Sequence, residues 1–257
     1  SINSKKINQN SIFIGIKGKK FDGNLYGLEA IKKRAVLAIT NKKFKNSKIV
    51  FQQNPFNTFN KISSTFRKSL NANNIAITGS AGKTSVKELT GFCLSKLAKT
   101  YFSKNSFNNK YGVPLSIFNA PQDTKFAVLE VGMNKKGEID NLTKLIKPNL
   151  GLITNISYAH IENFKNLNKI AQAKGEVINN IVPGGTIVIN RDDKYYNYFL
   201  NKAKNRKLKI ITFSKKNKNA NVVFLNQKKN KKKYLINLKI NNKKKSFLIS
   251  KKLYNYK

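Results

Sequence analysis

Lys83 and Thr84 follow Gly79-Ser80-Ala81-Gly82, and this pairing of residue types is the strongest chemical statement in the chain. Gly79 and Gly82 permit a tight loop that turns successive backbone N–H groups toward one point. An anion fits there. Gly82-Lys83-Thr84 narrows it to a polyphosphate, with the lysine as a point charge on the outer phosphates and the threonine hydroxyl on magnesium. The general phosphate-loop pattern carries its first glycine where Ile77 stands, so the loop is a short variant. A structural turn is the alternative reading.

Acids are rare in this chain, so their positions are informative. Of 11 Asp and Glu, eight (Asp123, Glu130, Glu138, Asp140, Glu162, Glu176, Asp192 and Asp193) fall between positions 123 and 193. Glu130 ends the apolar run Phe126-Ala127-Val128-Leu129, and a carboxylate at the end of a parallel strand suits magnesium bound to nucleotide phosphates. A salt bridge to a neighbouring lysine is the alternative. His160, the single histidine, follows another strand-like run and opens on the same edge. Lys174 falls among Leu167, Ile170, Ala171, Ile178 and Ile181, near the centre of the apolar stripe of a helix expected over Leu167 to Ile181. A lysine there needs a partner or a task, unless it snorkels from the stripe's edge. Glu176 is expected on the opposite, solvated face. Asn190-Arg191-Asp192-Asp193 adds polar groups at one more strand end, with helix N-capping by Asp192 or Asp193 as an equal reading.

These residues require strands and helices in alternation to hold them. Ile75 to Thr78 reads as a strand, and Val86, Leu89, Thr90, Cys93 and Leu97 recur at helical spacing after the loop. Further strands are expected at Phe126 to Val131, Leu150 to Asn155, Thr186 to Ile189 and Lys209 to Phe213, and helices near Val113 to Phe118, Glu138 to Lys147 and Tyr195 to Lys204. That alternation predicts an α/β fold with a mostly parallel sheet. Val222 to Leu225, Tyr234 to Ile240 and Phe247 to Ser250 read as antiparallel strands, the last two joined at Asn241-Asn242. Upstream, strands at Ile12 to Ile16 and Val36 to Thr40 and a helix around Leu25 to Lys33 form a small α/β unit over 1–54. Residues 55–73 read as a linker with a short helix around Phe59 to Leu70, and 74–257 as the phosphate-loop domain.

The formal net charge is +40, from 51 Lys+Arg against 11 Asp+Glu. A basic balance of this size suggests nucleic acid or a membrane surface. Arginine, however, occurs only at positions 34, 67, 191 and 206, and the lysine excess travels with Asn, Ile, Phe and Tyr, which share A/T-rich codons. Base bias accounts for the charge without a nucleic-acid partner, although a basic phosphate-loop module acting on nucleic acid stands as an alternative. Cys93, the single cysteine, is expected as a buried core thiol in a reducing compartment. No apolar run reaches the roughly 20 residues a membrane helix needs. No signal segment is evident, so a cytoplasmic protein without membrane insertion is expected. The chain opens on Ser1 rather than Met, and a true start upstream is expected.

Taken together, these residues resemble the Mur ligases, ATP-dependent amide-forming enzymes of peptidoglycan precursor synthesis. The resemblance rests on Thr78-Gly79-Ser80-Ala81-Gly82-Lys83-Thr84, Glu130-Val131-Gly132-Met133, Asn155 with Ala159-His160, Ala173-Lys174-Gly175-Glu176 and Asn190-Arg191-Asp192-Asp193, which occur in the family's order. Ser106-Phe107-Asn108-Asn109-Lys110-Tyr111-Gly112-Val113-Pro114 and Lys169-Ile170-Ala171-Gln172-Ala173-Lys174-Gly175-Glu176 are similar to the member that adds D-alanyl-D-alanine to UDP-N-acetylmuramoyl tripeptide. Asn3-Ser4-Lys5 and Asp22-Gly23 resemble the uridine-diphosphate substrate domain, with Lys5 where arginine is usual and Asn24 where histidine is usual.

The resemblance implies ATP and two Mg2+ ions. Gly79, Ser80, Ala81, Gly82, Lys83, Thr84, Ser85, Asn190 and Asp193 would hold the nucleotide. Thr84 and Glu130 would ligate one magnesium; a carbamylated Lys174 and His160 would hold a second. Ser4, Asp22, Gly23, Asn108 and Asn109 would contact UDP-MurNAc-tripeptide or shape its crevice. Lys83, Lys174 and His160 would be the catalytic set, in a monomer whose partners are that substrate and D-Ala-D-Ala. Another Mur-type ligase with a different amine is the nearest alternative. Family members continue into a third, C-terminal Rossmann-like domain, whereas this chain stops near Tyr254-Asn255-Tyr256, so little or no ligase activity is expected of it alone.

Overall fold

The computed structural model describes residues 1–18, 20–103, 106–158, 164, 166–230 and 233–250. Two compact units divide it, Ser1–Lys68 and Ser69–Lys257.

The first unit carries three parallel strands in the order β1 (Ile12–Ile14), β2 (Leu37–Thr40), β3 (Ile49–Phe51), with α1 (Gly27–Lys32) crossing between β1 and β2. Phe13, Ala30, Ala38 and Ile49 form its core. β3 is three residues long with two of them exposed, a pattern too short for the alternation that reveals strands in sequence. Helix α2 (Pro55–Ser69) occupies most of the stretch expected as a linker. Its proline sits at the first helical position, where the missing N–H is harmless, and Phe59 and Ser63 line its buried side one turn apart.

The second unit runs β4 (Asn73–Thr78), α3 (Lys83–Leu94), β5 (Thr100–Phe102), α4 (Gly112–Phe118), β6 (Phe126–Glu130), α5 (Glu138–Ile146), β7 (Leu150–Ile153), α6 (Leu167–Lys174), β8 (Thr186–Asn190), α7 (Tyr196–Asn205) and β9 (Lys209–Ser214). An antiparallel ribbon of β10 (Val222–Asn230), β11 (Lys233–Ile240) and β12 (Lys243–Ser250) then joins β9 through β10. Asn241 and Asn242 take φ of 45° and 67°, the mirror-image turn that matches strand twist, as their pairing in the sequence predicts. Among the described residues the sheet has nine strands in the order β12-β11-β10-β9-β8-β7-β4-β6-β5.

That order makes β4 the switch point. From β4 the chain goes out to the edge at β5 and returns to β6, then crosses to β7 on the other side of β4. Crossovers leaving in opposite directions open a crevice beyond the carboxyl end of the central strand, where open α/β sheets bind ligands. Ile77, Val128 and Ile75 pack one sheet face against α3, and Ile139, Ile146, Ile170, Ile178, Ile187 and Phe199 bury the other.

Three expectations about helices are corrected. The helix starting at Leu167 ends at Lys174 and continues as a 3-10 segment, Gly175–Asn180. Glu176 is buried rather than solvated, because α5 packs along the side of that segment and supplies backbone donors to it. Cys93 is exposed rather than a core thiol. α3 buries Lys87 and Gly91 instead, one turn apart, and this rotates the Cys93 face toward solvent.

Candidate active site

The loop from Gly79 to Gly82 connects β4 to α3 at the switch point. Gly79 has φ +147° and Gly82 φ +77°, and a Cβ on Gly79 would lie 1.8 Å from Thr154 Oγ1. Only glycine fits that first position, because the loop rests directly on the exit of β7. There Asn155 O accepts the Ser80 N–H at 2.9 Å and Asn155 Oδ1 the Ala81 N–H at 3.1 Å. Thr154 Oγ1 donates to Ala81 O at 2.6 Å, and Ser157 N donates to Ser80 Oγ at 2.9 Å. The Ser80 and Ala81 amides are thereby committed to the protein. Free donors come one step later, from the first turn of α3, whose leading N–H groups have no intrahelical partner and lie at the positive end of the helix dipole.

Lys83 Nζ folds back to Ser80 O at 3.3 Å. Burial lowers its pKa, while the Glu130 carboxylate acts in the opposite sense. Thr84 Oγ1 donates to Glu130 Oε2 at 2.8 Å, and Asn108 Nδ2 donates to Glu130 Oε1 at 2.8 Å. Glu130 is 1% exposed at the end of β6. Among the described residues no salt bridge reaches it, and these two neutral donors take its oxygens. A hydroxyl and one carboxylate, both on regular elements beside orphan helix amides, fit magnesium, which keeps several waters and uses one or two protein oxygens besides phosphate. Among the described residues no group of three His, Cys, Asp or Glu forms a cage that would favour another metal.

Lys174 is 1% exposed, and its Nζ donates to Gly79 O at 2.8 Å. It therefore points inward beneath the phosphate loop and does not snorkel. Burial, and then the nearby Lys83 ammonium, lower its pKa to about 7. Burial therefore favours the neutral amine near neutral pH, the form that reacts with carbon dioxide. His160 and Glu162 lie outside the described residues.

Asp193 at the end of β8 spends both carboxylate oxygens on backbone: Oδ1 accepts Tyr195 N and Oδ2 accepts Ile156 N, each at 2.8 Å. It ties the β8 exit to the loop that carries Asn155. Asp192 instead accepts from Ser214 Oγ and from the Lys215 and Lys216 amides, and Asn190 Oδ1 accepts Asp192 N at 2.9 Å. Neither aspartate occupies the N-cap position of α7, which is Tyr195. Asn109 Oδ1 accepts from the amides of Tyr111 and Gly112 and so starts α4, leaving Asn108 as the residue that faces Glu130.

In the first unit Asp22 Oδ1 accepts from both the backbone and side-chain nitrogens of Asn24, at 3.0 and 2.7 Å. Buried Asn24 in turn accepts the Asn41 N–H at 2.8 Å. Gly23 opens the 3-10 turn between them, and Ser4 begins another, capped by Asn3. No hydrogen bond among the described residues joins Ser4 to the Asp22–Gly23 turn.

The structure thus brings together Lys83, Thr84, Asn108, Glu130 and Lys174. It adds Thr154 and Lys87, which sequence reasoning did not single out. Thr154 carries no signal of its own. Nor does Lys87, which stands about 100° around the helix from Val86, off the face marked by Val86, Leu89, Thr90, Cys93 and Leu97.

The profile of the Mur ligase middle domain matches residues 77–254. The UDP-N-acetylmuramoyl-tripeptide--D-alanyl-D-alanine ligase of Buchnera aphidicola subsp. Baizongia pistaciae is 38% identical over 218 residues, 83% of this chain and 47% of that protein. The crystal structure of MurF from Acinetobacter baumannii superposes with a TM-score of 0.87 at 24% identity, covering 97% of this chain and 55% of that one. MurF ligase from Thermotoga maritima in complex with ADP gives a TM-score of 0.83 at 24% identity, over 96% of this chain and 57% of that one. The chain spans about half the length of the curated relatives it matches.

Proposed function

Since the chain belongs to the Mur ligase family, we propose that its phosphate loop binds ATP for an amide-forming reaction that adds D-Ala-D-Ala to UDP-MurNAc-tripeptide. The observation that carries this reading is the Thr84–Glu130 contact at 2.8 Å beside Lys83, at the switch point of the sheet. Curated relatives bearing the name of that ligase support the choice of substrates.

In this reaction the tripeptide's terminal carboxylate oxygen attacks the γ-phosphorus of ATP and ADP departs. The amine of D-Ala-D-Ala then attacks the acyl carbon and inorganic phosphate leaves. Magnesium, when bound, neutralises the developing charge on the phosphates. The first-turn amides of α3 grip the phosphates, and Lys83 supplies a mobile positive charge to the transferring group. Thr84 Oγ1 and Glu130 Oε2 would hold the metal, with Asn108 fixing the Glu130 rotamer. Carbamylation of Lys174, in which its neutral amine adds to carbon dioxide and gives up a proton, would put a carboxylate attracted to Lys83 where an ammonium would be repelled, able with His160 to hold a second metal. In the Ser1–Lys68 unit, Ser4, Asp22 and Gly23 would contact the uridine-diphosphate sugar.

Calorimetric titration of the chain with ADP in magnesium tests the nucleotide site. Binding that Lys83→Met weakens by about tenfold or more supports it, since hydrogen bonds to charged groups contribute about 1.5–3 kcal/mol. No binding by the unmodified chain overturns it. The choice of amine is tested on a protein of the relatives' length, by phosphate release dependent on UDP-MurNAc-tripeptide. Release stimulated by single amino acids but not by D-Ala-D-Ala would sink that choice.

A further inference from the structure

Lys87 is fully buried in α3, one turn after Thr84. Its Nζ donates to Ser103 O at 2.5 Å and pairs with Glu88 Oε1 at 2.9 Å. Ser103 is the first residue after β5, and its own N–H returns to Val128 O of β6 at 3.2 Å. Five positions later, Asn108 donates to Glu130, and Asn108 O accepts the Gly132 N–H at 2.8 Å. α3 is therefore tied to two described residues on this side of β5: to Ser103 through Lys87, and to Asn108 through Thr84 and Glu130. Gly91, one turn beyond Lys87, lets the helix lie close against β5: a Cβ there would meet the Phe102 ring at 2.4 Å.

A buried ammonium is expensive unless fully partnered, and an apolar residue of equal length often stabilises a core as well or better. Stability alone does not explain this lysine. We propose that Lys87 is a positioning residue: by holding the Ser103 carbonyl it sets where the chain leaves β5, and so aims Asn108 at Glu130. The helix that receives the phosphates and the carboxylate that would receive the magnesium are thereby held in one frame. This inference rests on the proposed nucleotide site.

The test compares ADP affinity with magnesium and with EDTA, and amide hydrogen exchange of residues 106–109, in the unmodified chain and in Lys87→Met. The expected result is a fall of about tenfold in affinity with magnesium, within about twofold without it, and faster exchange at 106–109 in the ligand-free variant. Asn108→Ala introduced into Lys87→Met should then add little, because the two act through one contact. Equal losses with and without magnesium, or no change in either, overturn the inference while leaving the nucleotide site standing. Absence of ADP binding by the unmodified chain overturns both. Should Lys87→Met not fold, Lys87→Gln, which keeps a polar donor, serves the same comparison.

Discussion

Lys174 Nζ donates a 2.8 Å hydrogen bond to the carbonyl of Gly79, a residue 95 positions earlier in the chain. The contact links a helix on one face of the sheet to the loop at its carboxyl edge, and both partners are defined by burial.

Stability is expected to depend on pH through this lysine. Its pKa in the fold is about 7 against an ordinary 10.5, so folding expels a proton between those values. The penalty of burying an ammonium is full below about pH 7, fades as pH rises, and is gone above about 10.5; stability therefore increases with pH across that window. Urea unfolding at several pH values should reveal the rise in the unmodified chain and its loss in Lys174→Met. Parallel curves for the two proteins would contradict it.

The same neutral amine is expected to take up carbon dioxide. In buffer containing 13C-labelled bicarbonate, a carbamate resonance should appear in the unmodified chain near neutral or mildly alkaline pH. It should be missing from Lys174→Ala. A spectrum without the resonance in either protein removes the carbamate role.

The two loop glycines should respond differently to alanine. Gly79→Ala drives a methyl into Thr154 and is expected to destabilise the chain by about 3 kcal/mol, a loss that Thr154→Ala partly recovers. Gly82 has φ +77° but open space around its Cα, so Gly82→Ala should cost about 1–2 kcal/mol from backbone strain alone. Denaturant midpoints decide the matter, and equal effects at the two positions would refute it.

Glu130→Gln keeps the volume of a buried group while removing its charge. It is expected to lower ADP affinity about tenfold in magnesium and much less in EDTA, with unfolding free energy reduced by about 1–3 kcal/mol. An undiminished magnesium-dependent affinity would exclude Glu130 as the metal's carboxylate.

Glu176 accepts the Gly137 and Asp140 N–H groups at 2.7 and 3.1 Å, so it caps α5 from a different segment. Glu176→Ala takes a charged acceptor away from two half-buried donors, and a destabilisation of about 1.5–3 kcal/mol is expected in urea titrations. A change under about 0.5 kcal/mol, typical of surface sites, would return Glu176 to the solvated role its sequence position suggested.

Local pattern alone was enough for the phosphate loop, the alternation of strands and helices apart from the three-residue strands β3 and β5, the Asn241-Asn242 hairpin and the anomaly of Lys174. Each of those signals resides in spacing within one element: glycines three apart, apolar residues at period 2 or 3.6, a cation in the middle of an apolar stripe. Partnerships between elements could not be read that way. Nothing near Thr154 or Asn155 says that they support Ser80 and Ala81, nothing near Glu176 says that α5 starts against it, and Lys87 looks like one lysine among many until Ser103 is found beside it. Cys93 and Glu176 were misread for the same reason. The face a helix buries depends on which neighbours flank it, and the order β7-β4-β6, set by crossovers in opposite directions, decided those neighbours.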